Sequence, residues 1–147
     1  MSKYLNNKKV IDFIKFDSTI EAKYYEHLKD LKAKDLIINY ELQPQYIIQP
    51  KFERNRVKYQ AITYKADFLV YLLDGSTEVI DIKGMATPEA KMKRKMYICN
   101  YEAPLKWIVW NKKEWRDYFV VEKERNLRRR KAKAMQEFDK ECENLDK

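Results

Sequence analysis

The chain has 147 residues, with 31 Lys and Arg against 23 Asp and Glu, a formal charge of +8 and a pI near 9.3. One ordinary domain is expected; 45% hydrophobic residues can build a core, and 37% charged residues with a mean hydropathy of -0.76 exclude an embedded membrane protein and wholesale disorder. Two glycines (Gly75, Gly84), one histidine (His27) and two cysteines (Cys99, Cys142) exclude a Walker loop, a dinucleotide fingerprint, a zinc finger and a His-rich metal site.

The first predicted element runs from Ser18 to about Lys34, a helix with Ser18 as N-cap and an apolar stripe of Tyr24, Tyr25, Leu28 and Leu31. Residues 37–52 are β-rich and broken by Pro44 and Pro50, so they read as one or two strands near a sheet edge. Two further strands, Tyr64 to Leu73 and Thr77 to Lys83, flank a hairpin turn at Asp74-Gly75-Ser76. Thr87 as cap, Pro88 at the first helical position and Glu89 in the first turn announce a helix to about Tyr101. A short apolar strand, Leu105 to Trp110, follows, and then a helix from near Lys112 that carries Trp115, Tyr118 and Phe119 into the core. Tyr59 and Tyr64, interleaved with Arg54, Arg56, Lys58 and Lys65, fit either a wet loop or a base-stacking surface.

Composition shifts after about residue 122. Residues 122–133 hold seven basic and two acidic side chains, and residues 137–147 turn acidic. The expected organisation is a domain over 1–121 and a charged helical tail over 122–147, with sparse apolar positions at Leu127, Ala134, Phe138 and Leu145. That tail is either a solvated helix or an arm that contacts DNA or forms a dimer. Strands apolar on both faces need cover on both sides, so the fold class is α/β, an α/β/α sandwich. With no early apolar segment, no 18-residue apolar run and isolated cysteines, a cytoplasmic protein without membrane association is expected.

The chemistry concentrates in Val79-Ile80-Asp81-Ile82-Lys83-Gly84, where an acid and a lysine two apart on an apolar strand point to one face. Both are costly there unless paired or employed. Asp67 opens the neighbouring strand. If Leu73 pairs with Thr77, Asp67 falls opposite Lys83 and the three converge; if Leu73 pairs with Ser76, Asp67 takes the other face, so convergence requires the longer loop or a bulge. Two carboxylates and a lysine suit phosphodiester hydrolysis with Mg²⁺, a hard ion that takes oxygen ligands, with Lys83 orienting water or offsetting phosphate charge. Glu21 is the third candidate acid, although Ser18-x-x-Glu21 is equally a capping box.

The set Glu21, Asp67 and Asp81-x-Lys83 resembles the PD-(D/E)XK nuclease superfamily. The segments FDSTIEAKYYEHL, QPQYIIQPKF, YKADFLVY and EVIDIKGMATPEAKMKRKMY are similar to a small, uncharacterised phage-encoded family assigned to it. The resemblance covers roughly residues 14–110, with Ala66 where the name-giving proline would stand. It implies a restriction-endonuclease-like core with a mixed central sheet, with Asp67, Asp81 and Lys83 catalytic and Glu21 joining the two aspartates around Mg²⁺, for which Mn²⁺ substitutes. Gln43 and Gln45 lie in a segment typical of the narrower family and receive no chemistry.

Lys91, Arg94 and Lys95 share a helix face as candidate phosphate contacts, with Met92, Met96 and Cys99 on another as core filling; Arg128, Arg129 and Arg130 are the tail's candidates. The tryptophans Trp107, Trp110 and Trp115 are expected in the core. The leading expectation is a Mg²⁺-dependent DNA endonuclease acting in phage recombination, repair or DNA processing in the host cytoplasm. A Holliday-junction resolvase, which calls for a homodimer with a broad basic face, is its specific form; linear-duplex and flap nucleases and a transposase-associated nicking subunit stay open. The alternative is a non-catalytic nucleic-acid-binding or interaction module on the same fold.

Overall fold

A computed structural model describes residues 8–145, and side chains through residue 141. Residues 1–7 and 146–147, and the side chains of Cys142 and Leu145, lie outside the described residues. The chain forms two compact units, Met1–Ile108 and Val109–Lys147.

The first unit opens with a hairpin of β1 (Lys9–Ile11) and β2 (Ile14–Phe16), followed by α1 (Thr19–Ala33). As expected, Ser18 caps α1: its Oγ accepts the Glu21 N–H at 3.1 Å. The stripe of α1 buries Ala22, Tyr24, Tyr25 and Leu28, with Tyr24 against Phe68 at a ring separation of 5.4 Å. Leu31 is only half-buried.

Residues 37–52 form more strands than the sequence predicts. β3 (Asn39–Leu42) pairs antiparallel with β8 (Phe68–Tyr71), whereas β4 (Gln45–Gln49) pairs with β7 (Ile62–Lys65) in a separate ribbon. Between β3 and β4 lie Gln43, at a φ of 52°, and Pro44, which has no N–H to give to a ladder. The expected single strand from Tyr64 to Leu73 is likewise cut at Ala66-Asp67. There the Ala66 N–H turns to the Pro44 carbonyl and the Asp67 N–H to that of Ile80. A third ribbon, β5 (Phe52–Arg54) with β6 (Val57–Tyr59), occupies residues the sequence left between loop and binding surface.

β8 pairs antiparallel with β9 (Thr77–Ile82), and β9 pairs parallel with β10 (Leu105–Asn111) through the crossover helix α2 (Pro88–Asn100). The sheet of this unit is therefore mixed, in the order β10-β9-β8-β3. Thr87 caps α2, accepting the Ala90 N–H at 3.1 Å, as predicted. The β8–β9 register matches neither expected pairing. Leu72 and Ser76 close a loop over Leu73-Asp74-Gly75, with Gly75 at a φ of 84°, and Tyr71 faces Thr77. The ladder ends at Phe68 and Ile80, and the Asp67 N–H joins the Ile80 carbonyl at 3.1 Å in a bulge, so it is the Asp67 carboxylate's bond to the Ile82 N–H that ties it to β9. No atom lies within 4 Å of a Cβ placed on Gly75, so Gly75→Ala is expected to cost only left-handed backbone strain, about 1 kcal/mol, read from urea midpoints.

In the second unit the end of β10 turns at Lys112-Lys113 into β11 (Glu114–Asp117), and α3 (Tyr118–Leu145) follows. The helix expected from Lys112 thus starts six residues later. Lys112 and Lys113 adopt φ values of 52° and 63°, and Asp117 caps the helix through the N–H groups of Phe119 and Val120. Tyr118 and Val121 are buried, Trp110 and Trp115 pack at 4.8 Å and are half-buried, and residues 125–141 are exposed. Among the described residues no helix is long and apolar enough to cross a membrane.

Candidate active site

β9 carries Asp81 and Lys83 on one side, and the parallel neighbour β10 sets Trp107 beside Asp81. Asp81 is 4% exposed, the only buried charged side chain among the described residues. Its Oδ2 accepts the Tyr64 hydroxyl and lies 2.8 Å from the Lys83 Nζ. Tyr64 in turn accepts the Trp107 indole N–H at 2.8 Å. Lys83 lies just past the end of β9, yet its N–H donates to the Ile108 carbonyl at 2.8 Å, which holds the backbone beneath the amine. That amine is 5.2 Å from the Trp107 ring centre, and the Arg94 guanidinium is 5.5 Å from the same ring.

Asp67, at the break between β7 and β8, accepts the Ile82 N–H at 2.7 Å. Burial, then the negative charge of Asp81 and of Glu21, raises its carboxyl well above the ordinary carboxylate range, against the Ile82 hydrogen bond. Glu21 is raised too, by burial first and in smaller part by Asp17 and Asp81, while the Ser18 hydroxyl, donating at 3.0 Å, works the other way. Glu21 therefore makes the cap contact and also faces the acids: with Asp67, Lys15 and Gln43 it lines a pocket of about 130 Å³. A wider pocket of about 430 Å³ opens beside Asp81 and Lys83, lined also by Tyr64, Lys65, Thr87 and Lys93.

The structure thus brings Asp67, Asp81 and Lys83 together, with Glu21 within electrostatic reach. Among the described residues no three His, Cys, Asp or Glu side chains stand close enough to form a ready-made metal cage. The donor chemistry nevertheless fits a hard divalent cation. Three carboxylates with oxygen donors share the site with the Lys83 amine, and the upward shifts of Asp67 and Glu21 come first from burial and in smaller part from the neighbouring acids.

The α2 candidates Lys91, Arg94 and Lys95 lie on one helix face but differ in exposure. Tyr97 is fully buried, so its neighbours one turn away, Lys93 and Arg94, turn inward, and Arg94 sits over Trp107. Lys95 is exposed and Lys91 half-buried. Met92 and Cys99, expected as core, lie on the outer face and are exposed, whereas Met96 is half-buried. Arg128, Arg129 and Arg130 are exposed on α3 in the second unit.

Sequence reasoning missed Lys93, placed Tyr64 and Lys65 in a wet loop or base-stacking surface rather than beside Asp81, gave Gln43 no chemistry and took Trp107 for simple core. A buried indole N–H and phenol need polar partners, which is the one signal that pointed Trp107 and Tyr64 toward a polar group. Tyr64→Phe leaves both the Trp107 N–H and Asp81 short of a partner. A loss of about 2 kcal/mol in urea unfolding is expected, with the fold retained.

A family model described as a protein of unknown function, DUF1064, matches residues 1–115. No curated protein and no solved structure matches the chain. The matched stretch contains every residue of the acid and lysine cluster, from Glu21 to Trp107. The chain belongs to the DUF1064 family.

Proposed function

We propose that the protein is a metal-dependent endodeoxyribonuclease of the PD-(D/E)XK type that hydrolyses phosphodiester bonds in branched DNA, with a four-way Holliday junction as substrate. The observation that carries this reading is the meeting of Asp67, Asp81 and Lys83 at one spot, the amine 2.8 Å from the Asp81 carboxylate. The element order α1, β3, β8, β9, α2, β10 supports a restriction-endonuclease-like α/β/α core. Strand alternation adds to it, placing the Phe68 side that α1 touches opposite the Trp107 side that Arg94 of α2 touches.

Asp67 and Asp81, with Glu21, would hold a Mg²⁺ or Mn²⁺ ion, which would supply Lewis acidity toward a phosphate and lower the pKa of bound water. Lys83 offsets charge gathering on the phosphate oxygens, and Tyr64 and Trp107 fix the Asp81 carboxylate through their hydrogen bonds. Lys65 and Lys93, beside Asp81 in the wider pocket, face the polyanion, consistent with a net charge of +8. The proposed setting is phage DNA recombination or repair in the host cytoplasm, with a homodimer matching the two-fold symmetry of a junction.

The test is a labelled four-way junction and a duplex of matched arms, each incubated with Mg²⁺ or EDTA, with Asp81→Asn alongside. Cutting of the junction alone, lost with EDTA and in the variant, is expected. Equal cutting of both DNAs keeps the nuclease and removes the resolvase. Binding of both DNAs by wild type and variant without any cutting overturns catalysis in favour of a binding module.

A further inference from the structure

The ribbon of β5 and β6 plays no part in the site just described, yet it is built for contact. It is a tight hairpin in which Arg54 faces Val57 across a two-residue turn, Asn55-Arg56, with φ values of 52° and 63°. Every residue from 51 to 60 is exposed, so neither face of the ribbon is covered by the protein's core. Phe52 and Tyr59 face each other across the strands and stack, with ring centres 4.7 Å apart and planes within 10°. They remain 42% and 47% exposed. Alternation places Arg54 and Val57 on the same face as this aromatic pair and Glu53 and Lys58 on the other. Lys51, Arg54, Arg56 and Lys58 against the single acid Glu53 leave this segment strongly basic. A pocket of about 420 Å³ runs along Lys51, Phe52, Glu53, Lys58, Tyr59 and Gln60.

An exposed aromatic pair on a flat ribbon costs solubility and gives no core packing in return. With Arg54 on its own face and Lys51, Arg56 and Lys58 along the same hairpin, it offers a π surface to a planar group carried on a polyanion. We propose that the β5–β6 hairpin is a nucleic-acid-binding ribbon, in which Phe52 and Tyr59 stack against unpaired bases and Lys51, Arg54, Arg56 and Lys58 hold the adjoining phosphates. The choice of DNA rests on the nuclease reading above. The ribbon adds a way to prefer branched or single-stranded DNA, because bases in an intact duplex are already stacked on one another.

The experiment measures binding of the full chain by fluorescence anisotropy, in EDTA so that nothing is cut. The probes are a labelled single strand, a matched duplex and a four-way junction, each across a salt series. Phe52→Leu/Tyr59→Leu keeps an apolar cross-strand pair and the turn, and matching thermal midpoints check that the fold is intact. It is expected to weaken single-strand and junction binding about tenfold, to leave duplex binding within about twofold, and to keep the salt slope. Arg54→Gln/Arg56→Gln/Lys58→Gln is expected to weaken binding to all three DNAs and to flatten the salt slope by about two.

If wild type binds and both variants match it in affinity and slope, the ribbon proposal is overturned and the nuclease reading stands. If only the basic variant loses affinity, the stacking role is overturned, and a purely electrostatic surface, open also to an acidic protein, replaces it. If binding depends on the aromatic pair yet wild type cuts no DNA with Mg²⁺, the ribbon stands and the nuclease reading falls. If wild type binds none of the DNAs, both fall.

Discussion

Lys83→Met is expected to slow DNA cleavage about a thousandfold while leaving DNA affinity within about twofold. Methionine keeps most of the lysine stem, so the packing beside Trp107 survives, and what disappears is the positive charge 2.8 Å from Asp81 and 5.2 Å from the indole. Lys83 is in direct contact with the buried Asp81 carboxylate. Its loss acts twice. In the ground state, Asp81 is left buried with less compensation, and a drop of about 2 kcal/mol is expected in EDTA, less than for a fully buried pair because the Lys83 side chain is 21% exposed. In the transition state, the charge gathering on the phosphate loses a preorganised partner. Added Mg²⁺ separates the two effects: it restores the melting temperature of the variant but not its rate. A rate within tenfold of wild type, or a rate recovered together with stability, would assign Lys83 a structural role only. Lys83→Arg is expected to remain slow, since a planar guanidinium cannot occupy the compact place of the ammonium between carboxylate and indole.

Which parts of this arrangement are legible in the sequence follows from how local their causes are. Ser18 and Thr87 cap their helices as read, because a cap is written within four residues. The Asp81-x-Lys83 pair is legible because strand alternation alone puts both on one face. The tight turns at Asp12-Phe13, Asn55-Arg56 and Lys112-Lys113 are not. Each uses two residues at positive φ and none contains glycine, so the usual marker of such a turn is missing: the segment about Asn55-Arg56 reads as loop or binding surface, that about Lys112-Lys113 as helix, and that about Asp12-Phe13 carries no assignment. The β8–β9 register escaped for a related reason. Gly75 marks the turn, but whether it closes at Leu72–Ser76 or one residue on is decided by the Leu72 and Gly75 N–H bonds, which the sequence does not carry. Tyr64 was hidden by the break at Ala66-Asp67, which depends on a long-range bond from Ala66 to Pro44. The inward face of α2 turns on Tyr97, whose burial overrides the apolar look of Met92 and Cys99.

Asp67→Asn is expected to stabilise the metal-free protein by about 2 kcal/mol at pH 8, a rise of roughly 5 °C in melting temperature. Burial and the charges of Asp81 and Glu21 hold the Asp67 carboxyl above its ordinary range in the folded state. Between the unfolded and folded values the native state binds the extra proton, so unfolding releases it and stability falls as pH rises through that window. Asparagine keeps an oxygen for the Ile82 N–H, bonded at 2.7 Å in wild type, and carries no charge, so it removes this pH-dependent loss without breaking the contact. The advantage of the variant is therefore expected to shrink toward zero below about pH 3, where Asp67 is protonated in both states. On the proposed metal-dependent reading, Mg²⁺ is expected to reverse the order. An ion held by Asp67 and Asp81 stabilises wild type in proportion to its binding and the variant far less, so in millimolar Mg²⁺ at pH 8 wild type is expected to melt at or above Asp67→Asn. Thermal melts of both proteins at three pH values, with EDTA and with Mg²⁺, read the whole scheme. A variant less stable than wild type in EDTA at pH 8 would show that Asp67 is held by favourable contacts rather than crowded by like charges. Equal responses of the two proteins to Mg²⁺ would remove Asp67 from the metal site while leaving Asp81 and Lys83 to be tested by cleavage.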